Sequence, residues 1–248
     1  SRPYMPAGDA SKMVEIMHRN GTKLTLFCGH GALFAPHTRL GREYDLQVAR
    51  TYAPLMRAYY PMTSRTLDYG ADIARFEKHY GLYVGMKFLA DYYSVPLTDK
   101  INAPFFRYAD AHKLPVLCHT WGGSAYDGED NVRAVADMYP NVRLILGHCL
   151  HDNWHEAARI AREHENVYLE LTAVADDRGA IEILAGEAGS EKIVFGTDLP
   201  WFGTEHGIGA VLCCASLNDE DRRNIFYRNA KRMLAHCGWL HEMQIGGI

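Results

Sequence analysis

The stretch K-I-V-F-G-T-D-L-P-W, residues 192–201, decides the fold. Residues 193–195 form an apolar run that is too short for a helix, and such a run is typical of a parallel strand buried on both faces. Gly196 ends the run, and Pro200 prevents a central strand from continuing. Asp198 is therefore predicted just beyond the carboxyl end of a buried strand, where α/β barrels place their reactive side chains.

Strands and helices are predicted to alternate along the chain. The other predicted strands are residues 24–28, 57–62, 82–89, 115–119, 142–148 and 167–172. The predicted helices are residues 9–19, 43–55, 68–80, 102–112, 130–138, 153–164, 179–188, 209–215 and 220–237. The strands recur roughly every 30 residues, which is the length of one βα unit. This alternation predicts parallel strands with the helices outside.

The predicted architecture is an α/β fold of the (β/α)8 TIM-barrel type that shows seven strands and lacks the first. An open doubly wound sheet is the alternative, and the barrel is preferred because no Gly-x-Gly-x-x-Gly pattern follows any strand. The 248 residues suit one barrel domain over 1–248. Residues 1–8 are assigned to the end of the first loop, 9–234 to the barrel and 235–248 to a C-terminal tail.

The amino-acid composition argues against nucleic acid and membranes as binding partners. The net charge of −4 provides no basic surface for nucleic acid or an anionic membrane. The six cysteines show no C-x-x-C spacing, and neither a membrane-spanning run nor a signal peptide is visible, so we expect a cytoplasmic protein. The expected partner is a small-molecule substrate. A barrel without its first strand has two open edges, which favours a homodimer.

Three polar residues are predicted at the carboxyl ends of separate strands. His119 has the same strand parity as Leu117, and His148 has the same parity as Leu146, so both histidines are expected to point into the barrel. Asp198 takes the equivalent position on the last strand. Two imidazoles and a carboxylate suit a divalent ion such as Zn²⁺, and they equally suit acid–base chemistry. The alternative is that each is a structural polar residue of the barrel.

Four further residues are candidates for contacts with a substrate. Trp121 and Trp201 follow His119 and Asp198, where they could form the walls of a pocket or fill the barrel mouth. His30 ends the first predicted strand, in Cys-Gly-His-Gly, and fits a substrate contact or a loop hydrogen bond. Arg65 follows the next strand and is a candidate partner for a substrate carboxylate.

Several segments together resemble the amidohydrolase superfamily, in its amidohydrolase-related branch of metal-dependent hydrolases and non-oxidative decarboxylases. The resemblance extends from about residue 9 over most of the chain, and the pair Asn229-Ala230 matches the closing helix of these barrels. The segments are P-V-L-C-H-T-W-G-G (115–123), V-R-L-I-L-G-H-C (142–149), V-Y-L-E-L-T-A (167–173), K-I-V-F-G-T-D-L-P-W (192–201) and R-R-N-I-F-Y-R-N-A-K-R-M-L (222–234).

The resemblance implies a mononuclear metal centre with residue roles. His119 matches a metal-binding histidine, His148 a histidine that acts on the substrate, and Asp198 an aspartate that binds metal and deprotonates water. The His-x-His pair of the family's first strand has no counterpart in this sequence, either because the strand was removed or because it never existed. Two ligands hold Zn²⁺ poorly, so we expect the metal to be weakly held or absent.

The predicted activity is metal-dependent hydrolysis, in which metal-activated water attacks a carbonyl of a small organic substrate. Asp198 would accept the water's proton, and His148 would stabilise the oxyanion. The first alternative is non-oxidative decarboxylation of a small, aromatic carboxylic acid at the same metal site. The second is a non-catalytic barrel that binds a small molecule.

Overall fold

Seven parallel strands form one sheet whose spatial order is the order of the sequence. The computed structural model describes residues 8–34, 38–65 and 67–235. The strands are β1 (Thr25–Phe27), β2 (Met56–Met62), β3 (Tyr83–Phe88), β4 (Pro115–Trp121), β5 (Arg143–His151), β6 (Val167–Glu170) and β7 (Ile193–Val194). A doubly wound sheet reverses its strand order at a switch point, and no reversal occurs here. The predicted barrel-type sheet of seven parallel strands is therefore confirmed.

Helices follow the strands, as predicted. Their bounds are α1 (Ala10–Asn20), α2 (His30–Leu33), α3 (Thr38–Thr51), α4 (Tyr69–Lys78), α5 (Ala90–Tyr93), α6 (Ala103–Ala111), α7 (Glu129–Met138), α8 (Trp154–Glu163), α9 (Ala180–Ala188), α10 (Thr204–Cys213), α11 (Asp219–Arg223) and α12 (Asn229–Leu234). A 3₁₀ turn precedes β7, and residues 1–7 and 236–248 of the predicted boundaries lie outside the described residues.

Two predicted helix positions near the carboxyl end were wrong. The helix predicted at residues 209–215 is α10, which begins at Thr204, because two glycines in its first half made the segment read as a loop. The helix predicted at 220–237 is interrupted by a π-helical turn over Asn224–Arg228, which separates α11 from α12.

Contacts between the first and last βα units show that the sheet curls. The guanidinium of Arg19 in α1 pairs with the carboxylate of Glu205 in α10. At the carboxyl rim, the indole N–H of Trp201 donates to Nε2 of His30 at 2.8 Å. Arg19 precedes β1 and His30 follows it, whereas Trp201 and Glu205 both follow β7. The two ends of the sheet therefore face each other.

Strand side chains alternate between two apolar layers. The outer layer packs the sheet against the helices and contains Cys118 and Leu146. The inner layer contains Leu117, Ile145 and Val194, and lies inside the curl of the sheet. Parallel strands covered on both faces need apolar residues on both, which explains why the strand segments read as continuous hydrophobic runs.

The edge of β7 is hydrogen-bonded by the chain that follows α11. The amide of Phe195 donates to the carbonyl of Ile225 at 3.1 Å. The side-chain amide of Asn229, which is fully buried, donates to the carbonyls of Ser190 at 2.7 Å and Ile193 at 2.6 Å. Strand-edge groups that lack a neighbouring strand are thus satisfied within the same chain.

We expect the substitution Asn229→Ala to lower the free energy of unfolding by about 2–4 kcal/mol, since it leaves two buried carbonyls without a donor. Lys231→Ala, two residues away on the same helix, is the matched control and should change it by less than about 0.5 kcal/mol. Urea denaturation followed by circular dichroism measures both. Equal stability of the two variants would contradict this role of Asn229.

No helix in the described ranges has the length and apolar character needed to cross a membrane. The described cysteines are free thiols: Cys118 and Cys149 are buried, as expected of small core residues, while Cys213 is exposed. Burial raises the pKa of the Cys118 thiol. The sixth cysteine, Cys237, lies outside the described residues.

Candidate active site

His119 lies at the carboxyl end of β4 with one ring nitrogen held by a buried carboxylate. Its Nδ1 donates to Oδ2 of Asp127 at 2.8 Å, and Asp127 is fully buried. Amide donors from Asp91 and a turn around Ser124 hold the Asp127 loop in place. The N–H on Nδ1 leaves the lone pair on Nε2, so the pair with Asp127 sets both the tautomer and the direction of the ring.

His148 lies beside His119, but not for the reason that strand parity predicted. The ring centroids are 5.0 Å apart, with the planes inclined at 69°. Leu146, which shares the parity of His148, packs in the outer layer, whereas Ile145 packs in the inner layer. Regular alternation would therefore turn His148 outward, and the parity argument for β5 was wrong. The ring reaches the inner side because the backbone is left-handed at His148, with φ of 68°.

Left-handed backbone is concentrated at this rim. Of the eight non-glycine residues with positive φ in the described ranges, six lie in the last residues of β5 or in the loops after β5, β6 and β7: His148, Cys149, Leu150, Asp152, Ala173 and Asp198. Each such residue costs of order 1 kcal/mol or more, and strain of this kind is concentrated at functional sites. The concentration of left-handed residues therefore marks the rim as the candidate active site.

The surroundings of His148 favour its neutral form. Burial lowers the pKa of His148 to about 3, and the positive charge of Lys87 in the barrel interior acts in the same direction. Its Nδ1 donates to the carbonyl of Thr172 at 3.2 Å, which leaves the lone pair on Nε2. His119 and His148 therefore each have their lone pair on Nε2, and neither Nε2 has a hydrogen-bond partner in the described ranges.

Glu170 on β6 is a site residue that the sequence reasoning did not single out. Register pairs His119 with Gly147, and Gly147 with Glu170, so the imidazole and the carboxyl occupy the same inner layer. A Cβ on Gly196 would lie 1.3 Å from Oε1 of Glu170, so the carboxyl occupies the space that this glycine leaves. Burial, with the negative charge of Asp198, raises the pKa of Glu170 to about 7. A lone acid in the apolar run V-Y-L-E-L was the available signal.

Asp198 lies in the loop after β7. It is exposed and left-handed, with φ of 47°. Its charge acts on Glu170 and on Tyr92, whose ring packs edge-on against His119 with the centroids 5.2 Å apart. Because β7 ends at Val194, Asp198 lies in the loop just beyond the carboxyl end of its strand, where the sequence predicted it.

Aromatic rings form the wall of this site. Trp121 lies parallel to His119, with a centroid separation of 6.0 Å, and also contacts His148. Trp121 is 39% exposed and Tyr92 is 56% exposed, so both present ring surface at the mouth. These rings provide an apolar surface next to two imidazoles, which suits a small planar ligand.

The other three sequence candidates for substrate contact, Trp201, His30 and Arg65, make contacts with other residues of the chain. Trp201 is exposed, and its indole N–H occupies Nε2 of His30, so that nitrogen is an acceptor in a loop contact. Phe34 links His30 to Tyr92 through ring contacts, which extends the aromatic wall. Arg65 donates to the carbonyl of Tyr93 at 2.9 Å and makes no described contact with His119 or His148.

The described donors fit a metal ion in type but not in number. His119 has the orientation that metal-binding histidines show, with Nδ1 on a carboxylate and Nε2 free. Among the residues of the described ranges, however, no three side chains of histidine, cysteine or acid bring their donor atoms within 4.8 Å of one another around His119 and Asp198. A catalytic zinc site normally has three protein ligands, so this set by itself is incomplete.

A comparison with protein families identifies the chain. The model of the family described as Amidohydrolase matches residues 43–235, which include His119, His148, Glu170 and Asp198 and every strand except β1. The chain belongs to the amidohydrolase family. No curated protein matches the sequence.

Solved structures share the fold at low identity. A 2,6-dihydroxybenzoate decarboxylase from Rhizobium has a TM-score of 0.71 and 14% identity, with 90% of this chain and 87% of that chain covered. A 5-carboxyvanillate decarboxylase from Sphingomonas paucimobilis has 0.72 and 15%, with 95% and 87% covered. A dihydroxybenzoic acid decarboxylase from Polaromonas sp. JS666, with bound manganese and an inhibitor, has 0.69 and 16%, with 90% and 85% covered. These similarities establish the fold of this amidohydrolase-family chain.

Asp45 packs behind β1, against the backbone that leads from this strand to His30. Its Oδ2 accepts the amide of Gly29 at 3.1 Å, and a Cβ on Gly29 would lie 2.2 Å from Oδ1, so the carboxyl packs tightly against the backbone that leads to His30. The other oxygen is buried with no hydrogen-bond partner in the described ranges. Burial raises the pKa of Asp45 to about 7.

The substitution Asp45→Asn should therefore change how stability depends on pH. A carboxyl whose pKa is raised on folding contributes stability below its unfolded pKa, and that contribution is lost as the pH rises through about 7. Between pH 5 and pH 8, the unfolding free energy of Asp45→Asn relative to that of wild type should therefore rise by about 2–3 kcal/mol. Denaturant titrations at both pH values measure it.

The exposed Asp130→Asn is the matched control, since its carboxyl is in solvent in both states. A constant difference between Asp45→Asn and wild type from pH 5 to pH 8 would show that the Asp45 carboxyl ionises normally in the folded protein.

Proposed function

We propose that this protein is a metal-dependent non-oxidative decarboxylase of a small aromatic carboxylic acid. The observation that carries the proposal is the pair of imidazoles, 5.0 Å apart, that lies against the aromatic rings of Trp121 and Tyr92 at the carboxyl rim. The named activities of the structural neighbours support this reading over hydrolysis, which rests on the family description alone. The decarboxylase reading, an alternative at the level of sequence, thus becomes the main one.

Recognition would use the aromatic wall and the free imidazole nitrogens. A benzoate-type ring would stack on Trp121 and Tyr92, gaining apolar burial and ring–ring contact. A divalent ion would be held by His119 and Asp198, with further donors completing its coordination. When bound, it supplies positive charge that stabilises the negative charge of the substrate. The neighbour with bound manganese supports a divalent ion and makes Mn²⁺ a candidate beside the expected Zn²⁺.

His148 would handle the proton that the reaction requires. Its Nε2 would accept the proton of a substrate hydroxyl and return it to the ring carbon that carries the carboxylate. The bond between that carbon and the carboxylate then breaks, CO2 leaves, and its bonding electrons remain on the ring. The hydroxybenzoate anion thus becomes CO2 and a phenolate, with atoms and charge conserved. Thr172, through its carbonyl, would keep the Nε2 lone pair directed at the substrate.

The activity test uses the full chain with Mn²⁺ or Zn²⁺ and two acids, 2,6-dihydroxybenzoate and 5-carboxyvanillate. We expect CO2 release with at least one of them, and a loss of more than about 100-fold in kcat for His148→Gln, because general acid–base catalysis contributes that much. The exposed His155→Gln, whose imidazole pairs with Glu187 on the outer helices, is the matched control and should retain activity.

Release of an acid together with an amine or alcohol from ester or amide substrates, without CO2 from any benzoate, would instead support hydrolysis. Saturable binding of aromatic acids without turnover, in the presence of either metal, would support a binding protein.

The Asp127 carboxylate should matter through His119. We expect Asp127→Asn to weaken metal binding about 10–100-fold, since partners of this kind fix the tautomer and basicity of a ligand histidine. Asp137→Asn is the matched control, because Asp137 pairs with His164 at 2.9 Å on the outer surface. Calorimetric titration with Mn²⁺ compares the two, and unchanged affinity in Asp127→Asn would contradict the role of the pair.

A further inference from the structure

A second group of possible metal ligands lies on the same rim, beyond Trp121. His151 ends β5, Asp152 follows it, and Asp177 lies in the loop after β6. One ligand atom from each lies within 4.8 Å of the others. Within the described part of the chain, this is the one group of three or more histidine, cysteine or acidic side chains that converges so closely.

The distances in this group are wrong for hydrogen bonds and suitable for a shared ion. Nε2 of His151 lies 3.7 Å from Oδ2 of Asp177 and 3.9 Å from Oδ1 of Asp152. A hydrogen bond between nitrogen and oxygen requires about 3.2 Å or less. Two donors that are each about 2.0–2.2 Å from one tetrahedral ion lie roughly 3.4 Å from each other. A small inward movement of the two carboxylates would therefore place all three atoms on one ion.

Two buried polar atoms of the group are without a partner. Nδ1 of His151 and Oδ2 of Asp177 are buried and accept or donate no hydrogen bond in the described ranges. A buried polar atom that lacks a partner costs about 1–3 kcal/mol, which a bound cation at Asp177 would offset. The His151 side chain is only 18% exposed.

Two tryptophans fix the position of the His151 ring. Trp121 lies against it with the centroids 4.2 Å apart, and Trp154 meets it edge-on at 5.1 Å. The imidazole is thus held on rigid elements, while no described partner fixes its tautomer. Nε2 can therefore present its lone pair toward the carboxylates.

We propose that His151, Asp152 and Asp177 form a binding site for one divalent transition-metal ion, separate from the site at His119 and Asp198. One imidazole nitrogen and two carboxylate oxygens are a donor set that such ions accept, and the two negative charges balance the charge of the ion. Three protein ligands leave a position for water or for an anionic ligand. The site does not depend on the proposed decarboxylase activity.

The test titrates Co²⁺ into the metal-stripped full chain and follows calorimetric stoichiometry together with tryptophan fluorescence, which an ion beside Trp121 should quench. The substitution Asp198→Asn is introduced first, so that the other site contributes little. In that background, Asp177→Asn should weaken Co²⁺ binding more than about tenfold and remove the quenching. His151→Gln should have the same effect.

Asp176→Asn in the same background is the matched control, because Asp176 is the neighbouring exposed acid and pairs with His206 at 2.8 Å instead. It should bind Co²⁺ as tightly as the parent. Equal affinity of the Asp177→Asn and Asp176→Asn proteins, or no ion bound by the parent at millimolar Co²⁺, would overturn the proposal. Circular dichroism spectra that match the parent show that each variant is folded. Because no substrate is involved, these results are independent of whether CO2 release is found.

Discussion

The hydrogen-bond register of the parallel strands is the constraint on which the site depends. It sets His119 of β4 and Glu170 of β6 level with each other, with Gly147 of β5 between them. Because Gly147 has no side chain, the inner layer stays open at this level. A Cβ there would lie only 2.9 Å from the carbonyl of Cys118, so the close approach of β4 and β5 also requires glycine. The same register that builds the sheet thus creates the space above its inner core.

Backbone strain then decides which side chains enter that space. The left-handed conformation at His148 turns its side chain away from the direction that regular alternation along β5 would give, and Asp198 is also left-handed, in the loop beyond β7. Such conformations persist only where surrounding contacts hold them, and at His148 the Thr172 carbonyl and the ring of Trp121 do so. The rim therefore combines a rigid sheet with loops held in uncommon conformations, an arrangement that positions reactive groups without moving the core.

The open edge of the sheet is stabilised from within the chain. Asn229 and the π-helical turn before it supply the donor and acceptor that β7 would otherwise take from another strand. Across the gap, the contact of Arg19 with Glu205 and that of Trp201 with His30 link the first and last units. Inside the curl, burial and the negative charge of Asp198 raise the pKa of Glu170, whereas burial and the positive charge of Lys87 lower the pKa of His148, so that near pH 7 the imidazole is neutral and the acid is partly protonated.

Sequence by itself determined the order of the strands, the alternation with helices and the residues that stand at strand ends. Those features follow from local patterns: apolar runs of strand length, helical periodicity, and the glycines and prolines that end them. The family could also be recognised from the sequence, because its motifs are short and contiguous. The tertiary structure alone decided that Asp127 orients His119, that Glu170 joins the site, that Asp45 lies buried behind β1, and that His151 meets Asp177. Each of these depends on register, on a left-handed backbone or on packing between residues distant in the chain, and no local pattern of side chains encodes them.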